Sequence, residues 1–284
     1  MFAATLSRNA DKLTYMDKRI ANILMSEKEI VKLTSDKVAK KAGCGQSTVI
    51  RFSQKLGYGS FKDLVLDLGK DNVAAATSRL DYGDELSETM LKIKNMYDLS
   101  LEDILSANEE TQICEAVEMM SNADSILCYG IKSSYSMASL MYYRLIETGM
   151  PVFKSDNIQE AVAIVRSLKK NDVIFVVSLS GENEEVIPVL NIAKKREVKI
   201  LSVTSTGMRD NTIRKMSDVG LRCGANEVHT RRFNLINRTA QLYLIDCIFI
   251  LLWKRNEERF MKVIEEFSEE LESHSLTADG IFSL

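Results

Sequence analysis

At 284 residues, 45% hydrophobic and 27% charged, the chain has the make-up of an ordinary soluble folded protein with room for two domains. Five scattered cysteines without a CxxC pair, and only two histidines, exclude a disulfide framework and any zinc-ligand spacing, which fits a reducing cytoplasm. The net charge of −3 is uneven: residues 1–80 hold 14 Lys and Arg against 8 Asp and Glu, and the remainder holds 23 against 32. A basic head on an acidic body suggests that the head meets a polyanion.

No basic region followed by an apolar core opens the sequence, so no secretory signal is expected. Leu13, Met16, Ile20, Ile23 and Leu24 recur at helical spacing and predict an amphipathic helix over 12–26. A short helix follows from near Thr34 or Ser35, either of which can cap it, and further helices are predicted at about 46–56 and 60–70. No segment before residue 120 alternates like a strand, so the head is expected to be all-α.

Within it, SDKVAKKAGCGQSTVIRFSQ (35–54) has the spacing of a helix-turn-helix. Val38 and the small Ala39 face the following helix, Gly43 supplies a left-handed turn, and Cys44, Val49 and Phe52 complete a small core. Gln46, Ser47, Ile50, Arg51 and Gln54 are left on the exposed side, the face that enters a major groove. Arg51 can give two hydrogen bonds to guanine, and Gln46 or Gln54 can do the same to adenine. Ser47, Thr48, Lys55 and Lys62 suit phosphates, which fix register without reading sequence.

The residues AAATSRLDYGD (74–84) read as a hinge, and Leu86, Met90, Ile93, Tyr97, Leu101 and Ile104 then step by three and four along a long connecting helix. After residue 120 the pattern changes. Apolar runs at 125–130, 151–154, 172–178, 198–204 and 218–223 alternate with helical stretches at 134–148, 157–168, 184–196 and 210–216. That alternation predicts βαβ crossovers and a parallel sheet covered on both faces. Two more helices, about 234–254 and 257–273, close the chain; Phe260, Val263, Ile264, Phe267 and Leu271 form an apolar stripe on the last. The run LYLIDCIFILLW (242–253) is broken by Asp246 and falls short of the roughly 20 residues of a membrane span, so it reads as a buried helix.

One loop stands out. In VVSLSGENEEV (176–186) an apolar strand runs into two serines and a glycine, and then into a helix whose start is rich in glutamate. Hydroxyls and a flexible glycine before a helix N-terminus are how a chain builds an anion site, while the glutamates oppose a bound anion unless they turn to solvent.

The segment GCGQSTVIRFSQKLGYGSFKDL (43–64) resembles the N-terminal module of the RpiR family of bacterial transcription regulators, through Ser47, Thr48, Val49, Arg51, Phe52, Lys55, Leu56, Gly57, Tyr58 and Phe61. Gly45 stands where a serine cap is more usual in that family, a small loss. The resemblance implies a C-terminal SIS (sugar isomerase) domain, a flavodoxin-like five-stranded parallel sheet between helices with a phosphosugar site at the strand ends. Two loops carry it: Gly130, Ile131, Lys132, Ser133, Ser134, and Ser178, Leu179, Ser180, Gly181, Glu182, Asn183. The expected effector contacts are Lys132, Ser133, Ser134, Ser178, Ser180, Gly181 and Asn183, aided by backbone N–H groups of 180–184, with Glu227 as a contact to a sugar hydroxyl. Lys132 replaces a usual glycine, and Asn183 a usual threonine.

The implied organisation is a helix-turn-helix domain over 1–77, a linker helix over 78–110, an SIS domain over 111–255 and a C-terminal helix over 256–284. The implied function is a cytoplasmic, homodimeric or tetrameric DNA-binding transcription regulator. A phosphorylated sugar, an amino-sugar phosphate among the candidates, would control it, and an inverted-repeat operator would be its double-stranded DNA partner. No catalytic residue, metal, cofactor or membrane contact is expected. Two alternatives stay open: a phosphosugar isomerase with an appended helical domain, for which Glu227 and His229 are the available acid–base groups, and an architectural DNA-binding protein with a dead pocket.

Overall fold

A computed structural model of the chain describes residues 2, 5, 6, 9, 12–27, 33–77, 80, 81, 83–204, 211–223 and 235–273. The chain divides into two compact units. The first runs to Glu109 and, among the described residues, also takes in 211, 222–223 and 235–240; the second takes the rest.

The first unit is helical. Helix α1 (Tyr15–Ser26) starts on a capping box: Asp17 N–H donates to the Thr14 hydroxyl at 3.2 Å, and the Asp17 carboxylate accepts from Thr14 N–H at 2.9 Å. Helix α2 (Ser35–Ala42) is capped by Thr34 and stops at Gly43, whose φ of 68° and ψ of 38° are the left-handed conformation that closes the turn. Helix α3 (Gln46–Lys55) follows after two residues, then α4 (Phe61–Thr77) and the long α5 (Leu86–Ala107). Ile20, Leu24, Val38, Val49, Phe52 and Leu64 are buried in one core, and burying each such side chain adds roughly 1.5–3 kcal/mol. Phe2 and Leu6 are fully buried in it too, ahead of the first helix predicted from periodicity.

Helix α4 runs beyond the predicted end near residue 70, because Ala74, Ala75 and Ala76 are the strongest helix formers and carry it through the start of the expected hinge. Residues 78, 79 and 82 of that expected hinge lie outside the described residues. At the far end of α5, the buried Asn108 pairs with both backbone groups of Arg222, also in the first unit: its amide donates to the carbonyl at 2.8 Å and its oxygen accepts the N–H at 2.7 Å.

The second unit begins with α6 (Glu110–Ser121), which periodicity did not reveal because only Ala116, Val117 and Met120 are buried on its face. Strands β1 (Ile126–Tyr129), β2 (Val152–Ser155), β3 (Val173–Ser178), β4 (Lys199–Thr204) and β5 (Val219–Arg222) lie at the predicted positions. They form one sheet in the order β2-β1-β3-β4-β5. The registers are parallel, with Ile126 opposite Val152 and Val173, and Val173 opposite Lys199. Every residue of β1 and β3 is buried, as expected of central parallel strands covered on both faces. Helices α7 (Ser133–Ile146), α8 (Ile158–Ser167), α9 (Val186–Lys195) and the short α10 (Thr212–Met216) alternate with them; α11 (Leu235–Arg255) and α12 (Glu257–Ser273) close the described chain.

In α11, Leu244, Ile245, Ile248, Phe249 and Leu252 are buried, and no helix of the described residues is long and apolar enough to cross a membrane. Phe260 of the predicted stripe on α12 is fully buried, whereas Phe267 is exposed.

The strand order reverses between β1 and β3: the chain steps from β1 to β2 on one side, then to β3 on the other. The loops leaving these two strands therefore diverge and open a crevice at their carboxyl ends, the usual ligand position in an open α/β sheet.

Candidate functional site

Two candidate sites emerge, one in each unit. In the first unit, α3 buries Val49, Phe52 and Ser53 and leaves Gln46, Ser47, Ile50, Arg51 and Gln54 exposed, with Thr48 half-buried. Gly45 makes no side-chain cap, and of the first-turn N–H groups of α3 that of Thr48 donates to Gly45 C=O at 3.0 Å, so a phosphate oxygen at this positive helix end would meet Gln46 and Ser47 N–H. Lys62 is exposed on α4. Two other predicted contacts are engaged within the fold. The Gln46 amide donates to the Ser35 hydroxyl at 2.8 Å, and the Lys55 ammonium lies 2.6 Å from the Asp17 carboxylate.

In the second unit, the loop after β1 turns sharply. Gly130 has no room for a side chain: a β-carbon there would lie 2.8 Å from the backbone carbonyl of Ser134. Lys132 follows at φ 53° and ψ −123°, a conformation that side chains rarely adopt, and it caps α7 with its own side chain exposed. Ser133 and the half-buried Ser134 form the first turn of α7. At the neighbouring strand end, Ser178 is buried opposite the buried Thr204 of β4.

The chain then passes through exposed Ser180 and buried Gly181, at φ 65°, into a loop that satisfies several of its own donors. The Ser180 hydroxyl accepts Glu182 N–H at 3.2 Å, and the Asn183 side-chain oxygen accepts Glu185 N–H at 2.8 Å and Val186 N–H at 3.2 Å. The Asn183 oxygen thus serves the N–H groups that lead into α9.

This corrects one expectation and resolves another. Helix α9 begins at Val186, so Glu182, Glu184 and Glu185 precede it instead of forming its first turn. Glu182 also has a definite partner: its carboxylate accepts Thr212 N–H at 2.9 Å, and Gly181 C=O accepts Ile213 N–H at 2.9 Å. The side-chain and backbone hydrogen bonds from Thr212 hold the Glu182 carboxyl below its usual range. Glu184 and Glu185 are exposed. The negative charge next to the serines is thereby spent on α10 or turned to water.

Tyr129, buried at the end of β1, braces the same loop. Its hydroxyl donates to Glu185 C=O at 3.2 Å, and burial, with the Glu185 charge, pushes its pKa up to about 12. Sequence reading passed over it as a strand residue, although a polar-tipped aromatic directly before a loop glycine was a usable signal. Cys128, in the same strand, is fully buried, and burial pushes its thiol up, so it packs as a small hydrophobe. Gly130–Ser134 and Ser178–Asn183 leave the two strands that flank the reversal. Glu227 and His229 lie outside the described residues. Among the described residues, no group of three or more His, Cys, Asp or Glu is placed to hold a metal ion.

Comparison with known proteins fits this geometry. Residues 2–75 match the helix-turn-helix domain of the rpiR family, and residues 119–251 match the SIS domain. Among solved structures, the fold is similar to the Vibrio vulnificus NanR protein complexed with ManNAc-6P, at 21% identity and TM-score 0.59 over 98% of this chain and 100% of that one. It is also similar to the sugar isomerase domain of an RpiR transcription factor from Sphaerobacter thermophilus, at 17% identity and TM-score 0.57 over 64% of this chain and 99% of that one. A candidate phosphosugar isomerase involved in capsule formation, from Bacteroides fragilis NCTC 9343, is similar at 18% identity and TM-score 0.54 over 63% of this chain and 97% of that one. The chain is an RpiR-family protein, with an rpiR-type helix-turn-helix domain followed by an SIS domain.

Proposed function

We propose that this protein is a sequence-specific DNA-binding transcription regulator controlled by a phosphorylated sugar held in its SIS domain. The observation that carries the reading is the pair of hydroxyl-bearing loops, Gly130–Ser134 and Ser178–Asn183, at the reversal point of a sheet whose chain begins with a helix-turn-helix. Ser178, Ser180 and Ser134 hold the phosphate, with the N–H of Gly181 and the Asn183 amide as further donors and Lys132 and Ser133 at the mouth; Glu227 contacts a sugar hydroxyl. Arg51, with Gln54, reads base edges, while Ser47, Thr48 and Lys62 position the helix on phosphates and Gln46 is held by Ser35.

The protein acts in the cytoplasm as a homodimer or tetramer on an inverted repeat, because a single helix-turn-helix offers too little contact for tight specific binding. An amino-sugar phosphate is the first effector to try, since the similar NanR structure was solved with ManNAc-6P. Isomerisation is the weaker reading. It needs an acid–base group free to reach the sugar carbons, and Glu182, the loop carboxylate beside the serines, is instead engaged by Thr212 N–H at 2.9 Å.

The test is a mobility-shift titration of full-length protein on a DNA fragment selected from a random library, with and without hexose and amino-sugar phosphates. A phosphorylated sugar that changes DNA affinity, while its unphosphorylated form does not, supports the proposal. Interconversion of an aldose and a ketose phosphate, with no effect on DNA binding, overturns it in favour of the isomerase.

A further inference from the structure

Helix α3 is tied to its neighbours at both ends. At its N-terminal end the Gln46 amide donates to the Ser35 hydroxyl on α2 at 2.8 Å. At its C-terminal end the Lys55 ammonium reaches the Asp17 carboxylate on α1 at 2.6 Å, across 38 positions of sequence. Asp17 is well anchored for this purpose, because the oxygen that meets Lys55 also accepts Thr14 N–H at 2.9 Å within the capping box, and the residue is only 7% exposed. The chain leaves α3 by a compact turn: Gly57 N–H donates to Gln54 C=O at 2.9 Å, and Tyr58 N–H to Ser53 C=O at 3.1 Å, so Lys55 departs from a fixed backbone.

We propose that Asp17 and Lys55 are positioning residues for DNA reading: their ion pair braces the recognition helix at the angle its base contacts require. The proposal rests on α3 being the recognition helix. It reassigns Lys55, which composition and spacing suggested for a phosphate.

The geometry shows why a brace at this end matters. Lys55 lies about 13.5 Å along the helix from Gln46, so a tilt of roughly 10° about the Gln46 end moves Lys55 by about 2.4 Å and Arg51 by about 1.3 Å. Hydrogen bonds to a base edge tolerate about 0.5 Å, so a displacement of that size breaks a bidentate pair. A lysine already committed to Asp17 neutralises no phosphate and so releases no counterion when DNA binds. Burial works against ionisation of Asp17, but hydrogen bonds from Lys55 and Thr14 outweigh it and keep the carboxyl below its usual range.

The experiment uses full-length protein, a duplex selected from a random library by the wild type, and a scrambled duplex of the same length and composition. Affinity for both is measured across a salt series for Asp17→Asn, Lys55→Met, the double variant, Lys55→Arg and Arg51→Ala, with circular dichroism at the assay temperature to show that each head is folded. The brace predicts that each single brace variant lowers the ratio of specific to scrambled affinity about tenfold, the discrimination of about one lost bidentate contact. The double variant should lose no more than either single one, Lys55→Arg should restore most of the ratio, and the salt slope of Lys55→Met should match wild type.

A Lys55→Met slope shallower by about 0.9 with the ratio intact makes Lys55 a direct phosphate contact and overturns the proposal. So do additive losses in the double variant, or a wild-type ratio for Asp17→Asn. Arg51→Ala shows which assumption has failed: a loss there leaves α3 as the reading helix, and no loss removes both readings. If Asp17→Asn does not fold, the ratio and slope of Lys55→Met, whose side chain keeps its packing stem, decide alone.

Discussion

Replacing Lys132 by glycine separates what the backbone prefers from what the side chain does. Lys132 sits at φ 53° and ψ −123°, where a β-carbon is strained and glycine is not. Holding a non-glycine residue there costs about 1–3 kcal/mol, and glycine gives back about 0.4–1 kcal/mol through the greater freedom of the unfolded chain. The net expectation is a gain of about 1 kcal/mol, which raises Tm by about 2–4 °C in a chain of this size. The same change removes an ammonium from the mouth of the proposed phosphate site. Loss of a hydrogen bond to a charged group weakens sugar-phosphate affinity by about 1.5–3 kcal/mol, or roughly 10- to 150-fold. Lys132→Ala keeps the strain and drops the charge, so it should lose affinity without melting higher. Thermal unfolding and calorimetric titration of the two variants give both quantities. A Lys132→Gly protein that melts at or below wild type refutes the strain argument, and undiminished affinity in both variants removes Lys132 from the site.

Three further outcomes are expected. Gly130→Ala places a β-carbon 2.8 Å from the Ser134 backbone, which cannot yield as a side-chain tip would; it should cost about 1–3 kcal/mol in thermal unfolding and abolish the response to sugar phosphate while DNA binding persists. Ser180→Ala should weaken effector affinity by about 1.5–3 kcal/mol in calorimetric titration but leave the melting point without effector nearly unchanged, because Ser180 is exposed. The head should also lose stability in acid. Burial raises Asp17, but its hydrogen bonds from Lys55 and Thr14 lower it more, so its folded pKa lies below the unfolded one. The stability it adds is therefore fully present above about pH 4 and drains away as pH falls through the folded value. Denaturant unfolding between about pH 2.5 and 7 should show this acid limb in wild type and a flatter one in Asp17→Asn, and identical limbs would refute it.

The periodic features of this protein were legible in its sequence. Alternating Val- and Ile-rich runs and amphipathic stretches placed all five strands, because a strand buried on both faces and a helix with one apolar stripe each leave a local pattern. The Thr34–Ser35 pair and Gly43 marked the start and stop of α2, and the structure chose Thr34 as the cap, since caps and left-handed turns depend on one or two residues. The exposed face of α3 followed from Val49 and Phe52 being needed inside. The serines and glycines of both loops were likewise visible.

Other features came only with tertiary structure. The thin apolar face of α6 has too little period to be seen, and Phe2 and Leu6 are buried only because distant helices form a core around them. The sequence alone showed glutamates crowding a candidate anion loop and a lysine free for phosphate. The fold decided that Glu182 serves Thr212, 30 positions away, and that Lys55 serves Asp17, 38 positions away. What a charged side chain does depends on which polar atom folding brings within about 3 Å of it, and no local pattern of residues encodes that distance.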